Sequence, residues 1–234
     1  MIMTIFNLET FYLITNFFIG TCIASFACVL AENGINLTAR SKCNHCHQTL
    51  RVLDLIPLVS FIFLKGYCHY CHKKIPRELF YFELAGGFYF LKIDYSNFFS
   101  YFELVFLFFF FLIAILDLHH QEFLTALLIV PAIISATTFL LNLKSLTLLD
   151  SISLLIMFSA MSILVYLEKM GLGDLLIYVL IACFYGQTYA NLAFLISSLL
   201  VLVYFGLNRK INFSKTSLPF IPFVIASLIV VQLI

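Results

Sequence analysis

The chain has 234 residues, of which 63% are hydrophobic, 17% aromatic and only 11% charged, and its mean hydropathy is +1.07. A water-soluble domain carries about a quarter charged residues, so a soluble globular fold is excluded. The 13 basic and 12 acidic side chains nearly cancel, which leaves no electrostatic argument for nucleic acid or another polyanion as partner.

Taken in chain order, Phe11 to Leu30 supplies twenty consecutive uncharged positions, about what a helix needs to cross the hydrocarbon core. No Lys or Arg precedes it, so the basic region of a secretory signal is missing and the segment is expected to be retained. After a polar loop, 31–78, further spans are predicted at 79–92, which contains Glu83, at 98–116 with Glu103, at 123–141 with Pro131, and at 147–167 with Asp150. The run 175–208 is uncharged throughout and carries a Gly186-Gln187-Thr188-Tyr189 break, enough for two crossings, and Thr216 to Ile234 supplies the last. The expected fold is therefore an all-α polytopic membrane protein of about eight spans.

Basic residues concentrate on the cytoplasmic side of membrane proteins. The 31–78 loop holds Arg40, Lys42, Arg51, Lys65, Lys73, Lys74 and Arg77. Placing it inside and alternating the spans puts Lys169, Arg209, Lys210 and Lys215 inside too, leaves only Lys92 and Lys144 outside, and sets both termini outside. The break Ile93-Asp-Tyr-Ser-Asn97 is the expected boundary between a region 1–92 and a six-span region 93–234. No internal repeat is apparent, and the Phe-rich run 108–111 reads as lipid-facing.

Within the loop stand Cys43-Asn-His-Cys46 and Cys68-His-Tyr-Cys71. Each Cys-x-x-Cys turns two sulfurs toward one centre, and two such knuckles complete a tetrahedral four-sulfur site of the kind structural zinc prefers. Disulfides, a redox pair and free thiols are the alternatives; a reducing compartment disfavours the first, and no thioredoxin-like pattern supports the second. His45, His47, His69 and His72 read as neighbours of that site, not ligands. Between the pairs, residues 53–64 are apolar but too short to span, and are expected to pack on the membrane surface. Cys22, Cys28 and Cys183 lie in apolar spans and read as packing residues.

Carboxylates inside spans are costly and are functional candidates by default. Asp117 closes the apolar run 104–116, and Asp174 follows Gly171-Leu-Gly173; the charge-derived topology puts both at the inner face. Two carboxylates in a shared, partly desolvated site hold one proton between them, and such a pair can activate water against a peptide carbonyl. Gly171 and Gly173 fit this, because residues without a Cβ permit an irregular helix start and close approach of a substrate backbone. The plain alternative is two hydrated helix-end aspartates. His119 and His120 read as polar residues of a short inner loop, and Glu103 and Asp150 as interfacial.

The chain resembles the type IV prepilin peptidases, the bifunctional leader peptidase and N-methyltransferase family that includes competence pseudopilin peptidases. The stretches that carry the resemblance are Gly20-Thr-Cys-Ile-Ala-Ser25-Phe26, Arg40-Ser-Lys-Cys43, Cys46, Asp54-Leu-Ile-Pro57-Leu-Val-Ser60, Gly66, Cys68 and Cys71. Downstream they are Glu83-Leu with Gly86-Gly87, Asp117-Leu, Gly171, Gly173-Asp174 and Leu218-Pro-Phe-Ile-Pro222-Phe.

The resemblance implies that Asp117 and Asp174 are the catalytic pair and that Cys43, Cys46, Cys68 and Cys71 hold structural zinc. It further implies a bacterial inner-membrane location, with prepilin or pseudopilin precursors cut on the cytoplasmic side to remove a short basic leader. In many members S-adenosylmethionine-dependent methylation of the new N-terminus follows, with Glu83 a candidate for that site or for a loop contact. No Gly-rich or Rossmann-type pattern here points to S-adenosylmethionine independently. The chain departs from the family where Phe123-Leu124 replaces an Ile-Pro and Leu176 replaces a Lys. The expected partners are pilin-like substrates and membrane lipid, not nucleic acid. An ion-coupled transporter with a zinc-binding regulatory loop is the competing reading; it predicts midplane charge and related halves, neither of which the chain has. A zinc scaffold without catalysis leaves Gly-x-Gly-Asp unexplained.

Overall fold

The computed structural model describes residues 2–32, 40–95, 97–120, 125–142, 147–207 and 218–233. Phe123, Leu124, Lys144, Arg209, Lys210 and Lys215 lie outside the described residues. The helices are α1 (Ile2–Glu32), α2 (Val59–Phe63), α3 (Arg77–Tyr89), α4 (Phe99–His120), α5 (Ile129–Asn142), α6 (Leu148–Tyr166), α7 (Leu172–Tyr185), α8 (Gln187–Leu207) and α9 (Ile221–Leu233). Among the described residues there is no β-strand, only two isolated bridges in the cysteine loop.

Apart from the short α2, each helix coincides with an expected span. Glu9–Glu32, Phe99–His119, Leu148–Tyr166 and Gln187–Leu207 are long and apolar enough to cross a membrane unaided. Thr125–Leu141, Leu172–Tyr185 and Ile221–Leu233 are apolar but shorter, and α3, at 13 residues, is likewise shorter than a full span. The fold is all-α and polytopic.

The chain forms two compact units, Met1–Ile115 and Leu116–Ile234, which divide inside α4. In the first, α1 and α3 pack antiparallel. Lipid is as apolar as the side chains, so burial alone does not drive helices together; close approach of small residues and polar contacts do. Both are present. A Cβ on Gly20 would stand 2.6 Å from the carbonyl oxygen of Gly86, and one on Gly86 would collide with the Cβ of Ala24. Asn16 Nδ2 donates to the carbonyls of Leu91 and Ile93, at 2.9 and 2.8 Å, and pins the end of α3. Gly86→Ala is therefore expected to lower stability by about 1–3 kcal/mol, with Ala24→Gly in the same chain restoring part of it. Thermal unfolding in detergent checks this, and an unchanged midpoint would mean the helices part freely.

The Phe-rich run corrects one expectation. Phe110 and Phe111 are buried, and the Phe111 ring lies 5.8 Å from that of Tyr89. Successive helical residues rotate by about 100°, so a run of four cannot all face lipid.

In the second unit α7 packs against α5, α6 and α8, and buries Ile177, Tyr178 and Ile181. The reversal between α7 and α8 is narrower than the four-residue break expected, since Gly186 alone separates them, at φ 92° and ψ 157°, a conformation only glycine adopts without strain. Gln187 consequently opens α8 and turns inward to meet Ser153 Oγ, which also accepts from Asn191 Nδ2 at 3.3 Å. Tyr178 OH donates to Asn191 Oδ1 at 2.7 Å, so α6, α7 and α8 are tied by polar contacts.

Candidate functional site

The first cluster is the cysteine loop. Cys43, Cys46, Cys68 and Cys71 bring their sulfurs within 4.8 Å of one another, with Cys43 and Cys71 Sγ 3.8 Å apart. A Zn–S bond of about 2.3 Å in a tetrahedron sets sulfurs about 3.8 Å apart, whereas a disulfide needs about 2.05 Å. The donor set fits zinc, and with four thiolates the coordination is closed.

The knuckles are built alike. Cys43 N–H donates to Gln48 O, His47 N–H to Cys43 O and Leu50 N–H to Ser41 O; twenty-five positions on, Cys68, His72 and Ile75 donate to Lys73, Cys68 and Gly66 in the same order. His47 and His72 occupy matching left-handed positions, at φ 55° and 53°. This structural repeat escaped the sequence reading because only the cysteines and some histidines recur. Burial opposes ionisation of Cys43, but the backbone N–H groups of Cys46 and His45 and the neighbouring sulfurs outweigh it and bring the thiol down to about 6. A cavity of about 90 Å³ lies beside Cys43 and Cys68, lined also by Lys42, Asp54, Lys73 and Leu79.

Glu83 reaches from α3 to this loop. Its Oε2 accepts the N–H of Leu58 at 2.7 Å, and Ser25 of α1 also bonds it. Leu58 sits at φ 59°, a strained setting for a bulky residue, and the carboxylate satisfies its N–H in that setting. Glu83→Leu is expected to destabilise the loop by about 1–3 kcal/mol through the orphaned N–H, while Glu83→Gln, which retains an acceptor, is largely neutral. Rates of limited proteolysis between residues 51 and 65 distinguish the two.

The second cluster lies in the Leu116–Ile234 unit. Asp117, near the end of α4, is only 8% exposed, and its Oδ2 accepts the N–H of Ile221 at 3.2 Å. Ile221 opens α9 and Pro222 follows it, so this N–H belongs to a helix start without an intrahelical partner. Asp174 stands in the first turn of α7, with Gly171 as the N-cap. A Cβ at Gly171 would come within 3.4 Å of Asp174 Oδ2, so glycine leaves the space over the carboxylate open. Gly173 is already helical.

The two carboxylates are electrostatic neighbours, for the charge of Asp117 acts on Asp174. Leu176, two residues beyond Asp174, is exposed. The Ile221 contact was not foreseen, although Leu218-Pro-Phe-Ile-Pro222 held the signal: proline at the start of an apolar run marks a helix N-terminus with free N–H groups.

These features define a polytopic helical membrane protein with a four-cysteine cluster able to hold a metal ion in one unit and two neighbouring carboxylates in the other. Comparison with known proteins narrows the class. Residues 18–97 match the bacterial peptidase A24 N-terminal domain. The chain is 31% identical over 197 residues to the type 4 prepilin-like proteins leader peptide-processing enzyme of Escherichia coli O78:H11, which covers 78% of this chain and 71% of that protein. It is 28% identical over 205 residues to the prepilin leader peptidase/N-methyltransferase of Vibrio cholerae serotype O1, covering 82% and 80%. With the enzyme of that name from Dickeya chrysanthemi it shares 45% identity over 51 residues, 22% of this chain and 18% of that one. No solved structure matches. The chain belongs to the prepilin leader peptidase family.

Proposed function

We propose that this chain is a membrane aspartic peptidase that removes the leader from prepilin-like proteins, with Asp117 and Asp174 as its catalytic carboxylates. Family membership makes it an enzyme of leader-peptide processing. The observation that supports the residue assignment is the buried Asp117, tethered to the start of α9 and felt electrostatically by Asp174.

Because Asp117 Oδ2 already accepts the Ile221 N–H, the proton shared by the pair sits on Asp117 Oδ1 or on Asp174. The ionised carboxylate takes a proton from water as the water oxygen bonds to the peptide carbonyl carbon; the protonated one gives its proton to the carbonyl oxygen. The C–N bond then breaks, the amine leaves with the proton taken from water, and the carboxylates return to sharing one proton. Gly171, with no Cβ beside the Asp174 carboxylate, leaves room there for the substrate backbone.

The sidedness, substrates and second activity follow from the charge distribution and the family. The cysteine loop and both aspartates face the cytoplasm of a bacterial inner-membrane protein, and the substrates are prepilins or pseudopilins with basic leaders. Residues 1–92 form a methyltransferase-like region using S-adenosylmethionine, and residues 93–234 form the peptidase region. The four thiolates hold zinc with no open coordination position, so the ion orders the loop and takes no part in hydrolysis. The test is incubation of the zinc-loaded protein in lipid with a synthetic leader-bearing pseudopilin. Mass spectrometry reads leader loss and, separately, one added methyl group on the new N-terminus. An intact precursor would refute the peptidase assignment, and an unmethylated product would refute the second activity.

A further inference from the structure

We propose that residues 51–65 form a re-entrant anchor that inserts Val52, Leu53, Ile62 and Phe63 among anionic phospholipids of the enzyme's own membrane, with Arg51 and Lys65 binding the lipid phosphates. Three independent observations carry this.

The first is depth. Glu83, which holds the Leu58 N–H, lies four residues inside the span expected from 79, about 6 Å. Ser25, which also bonds Glu83, lies five residues before the end of the span expected at Leu30, about 8 Å. The middle of the loop is therefore drawn below the level where the two expected spans leave the membrane. Interfacial segments settle about 5–10 Å into the boundary between headgroups and acyl chains. Irregular backbone at that depth survives only where its polar groups are satisfied, which is what Glu83 does for Leu58.

The second is exposure. Val52 and Leu53, in the 3₁₀ turn Val52–Leu55, are 82% and 73% exposed, and Ile62 and Phe63 at the end of α2 are 65% and 83% exposed. Four large apolar side chains so bared on two adjacent turns need an apolar surrounding.

The third is charge. Arg51 immediately precedes one apolar pair, and Lys65 stands two residues beyond the other. Arg51 is stacked 5.4 Å over the Tyr70 ring, with its Nε bonded to Tyr70 OH at 3.2 Å, which fixes its stem beside the turn. Residues 40–78 carry seven basic side chains against Asp54 and Glu78, and subtracting the two negative charges of a zinc tetrathiolate still leaves a positive excess. A basic shoulder beside an apolar tip is complementary to anionic lipid.

The chain contains no tryptophan, so Phe63→Trp and Leu53→Trp are single-reporter variants at exposed positions. The full zinc-loaded protein is reconstituted in phosphatidylcholine vesicles with and without phosphatidylglycerol, each carrying lipids brominated in the upper acyl chain. In the anionic vesicles both reporters are expected to emit blue-shifted, to lose emission to the bromines and to resist aqueous iodide. Phosphatidylcholine alone, or Arg51→Gln with Lys65→Gln, is expected to reduce the bromine quenching. Iodide quenching without bromine quenching would overturn insertion, and shielding that appears only with added substrate or at high protein density would assign the ridge to a protein instead. Equal bromine quenching in both lipids would overturn the anionic preference. None of these readouts depends on peptidase activity.

Discussion

Asp117→Asn and Asp174→Asn are each expected to lower leader cleavage by about 10³-fold or more, the scale of loss when a proton-transferring group of a catalytic unit is removed. Asparagine keeps the shape, and at position 117 its amide oxygen can still accept the Ile221 N–H, so the tether to α9 survives. What goes is the ability to take a proton from water or to give one to the carbonyl oxygen. The pair acts as a unit, so the double variant is expected to be no slower than the worse single one. Single-turnover cleavage of a leader-bearing pseudopilin in lipid checks this. Cleavage at the parental rate by either variant would remove that residue from the mechanism, and losses that multiply in the double variant would mean the carboxylates act independently.

Cys43→Ser and Cys71→Ser are expected to abolish stoichiometric zinc and to disorder residues 40–75. Structural zinc contributes about 10–16 kcal/mol of apparent binding free energy in small zinc-dependent folds, and a loop this short has little core to replace it. Elemental analysis reads the metal, and protease sensitivity reads the order. Full zinc content in either variant would mean that the ligands are others.

A pH series adds a sign. Cys43 titrates at about 6 in the folded loop against an ordinary 9.0. Its depressed value contributes stability that is full above 9.0, declines as the pH falls, and is gone below about 6. Protons compete with zinc for the same sulfur, so metal should be retained at neutral pH and released as the pH falls below about 6. Release already complete at pH 8 would contradict the lowered value.

Much of this was legible in the sequence because the bilayer constrains a chain so strongly. Apolar length and scarcity of charge locate spans whatever the packing, and Gly186 announced the reversal between α7 and α8. The paired Cys-x-x-Cys were readable because a metal site depends on local spacing. The convergence of the four sulfurs within 4.8 Å of one another therefore agrees with what spacing alone predicted.

Other features depend on contacts far apart in the chain, and only the tertiary structure decided them. Which phenylalanines of 108–111 face inward depends on where Tyr89 stands. That Glu83 satisfies Leu58, twenty-five positions away, follows from how α1 and α3 close on Gly20 and Gly86. The partner of Asp117 is a backbone N–H at Ile221, and a backbone donor leaves no mark in side-chain identity. The sequence by itself determined a polytopic helical membrane protein, its four candidate metal ligands and its two candidate carboxylates, since hydropathy, ligand spacing and charge cost are properties of residues. The structure decided what holds each of those groups in place, since that depends on which distant backbone atoms packing brings within reach.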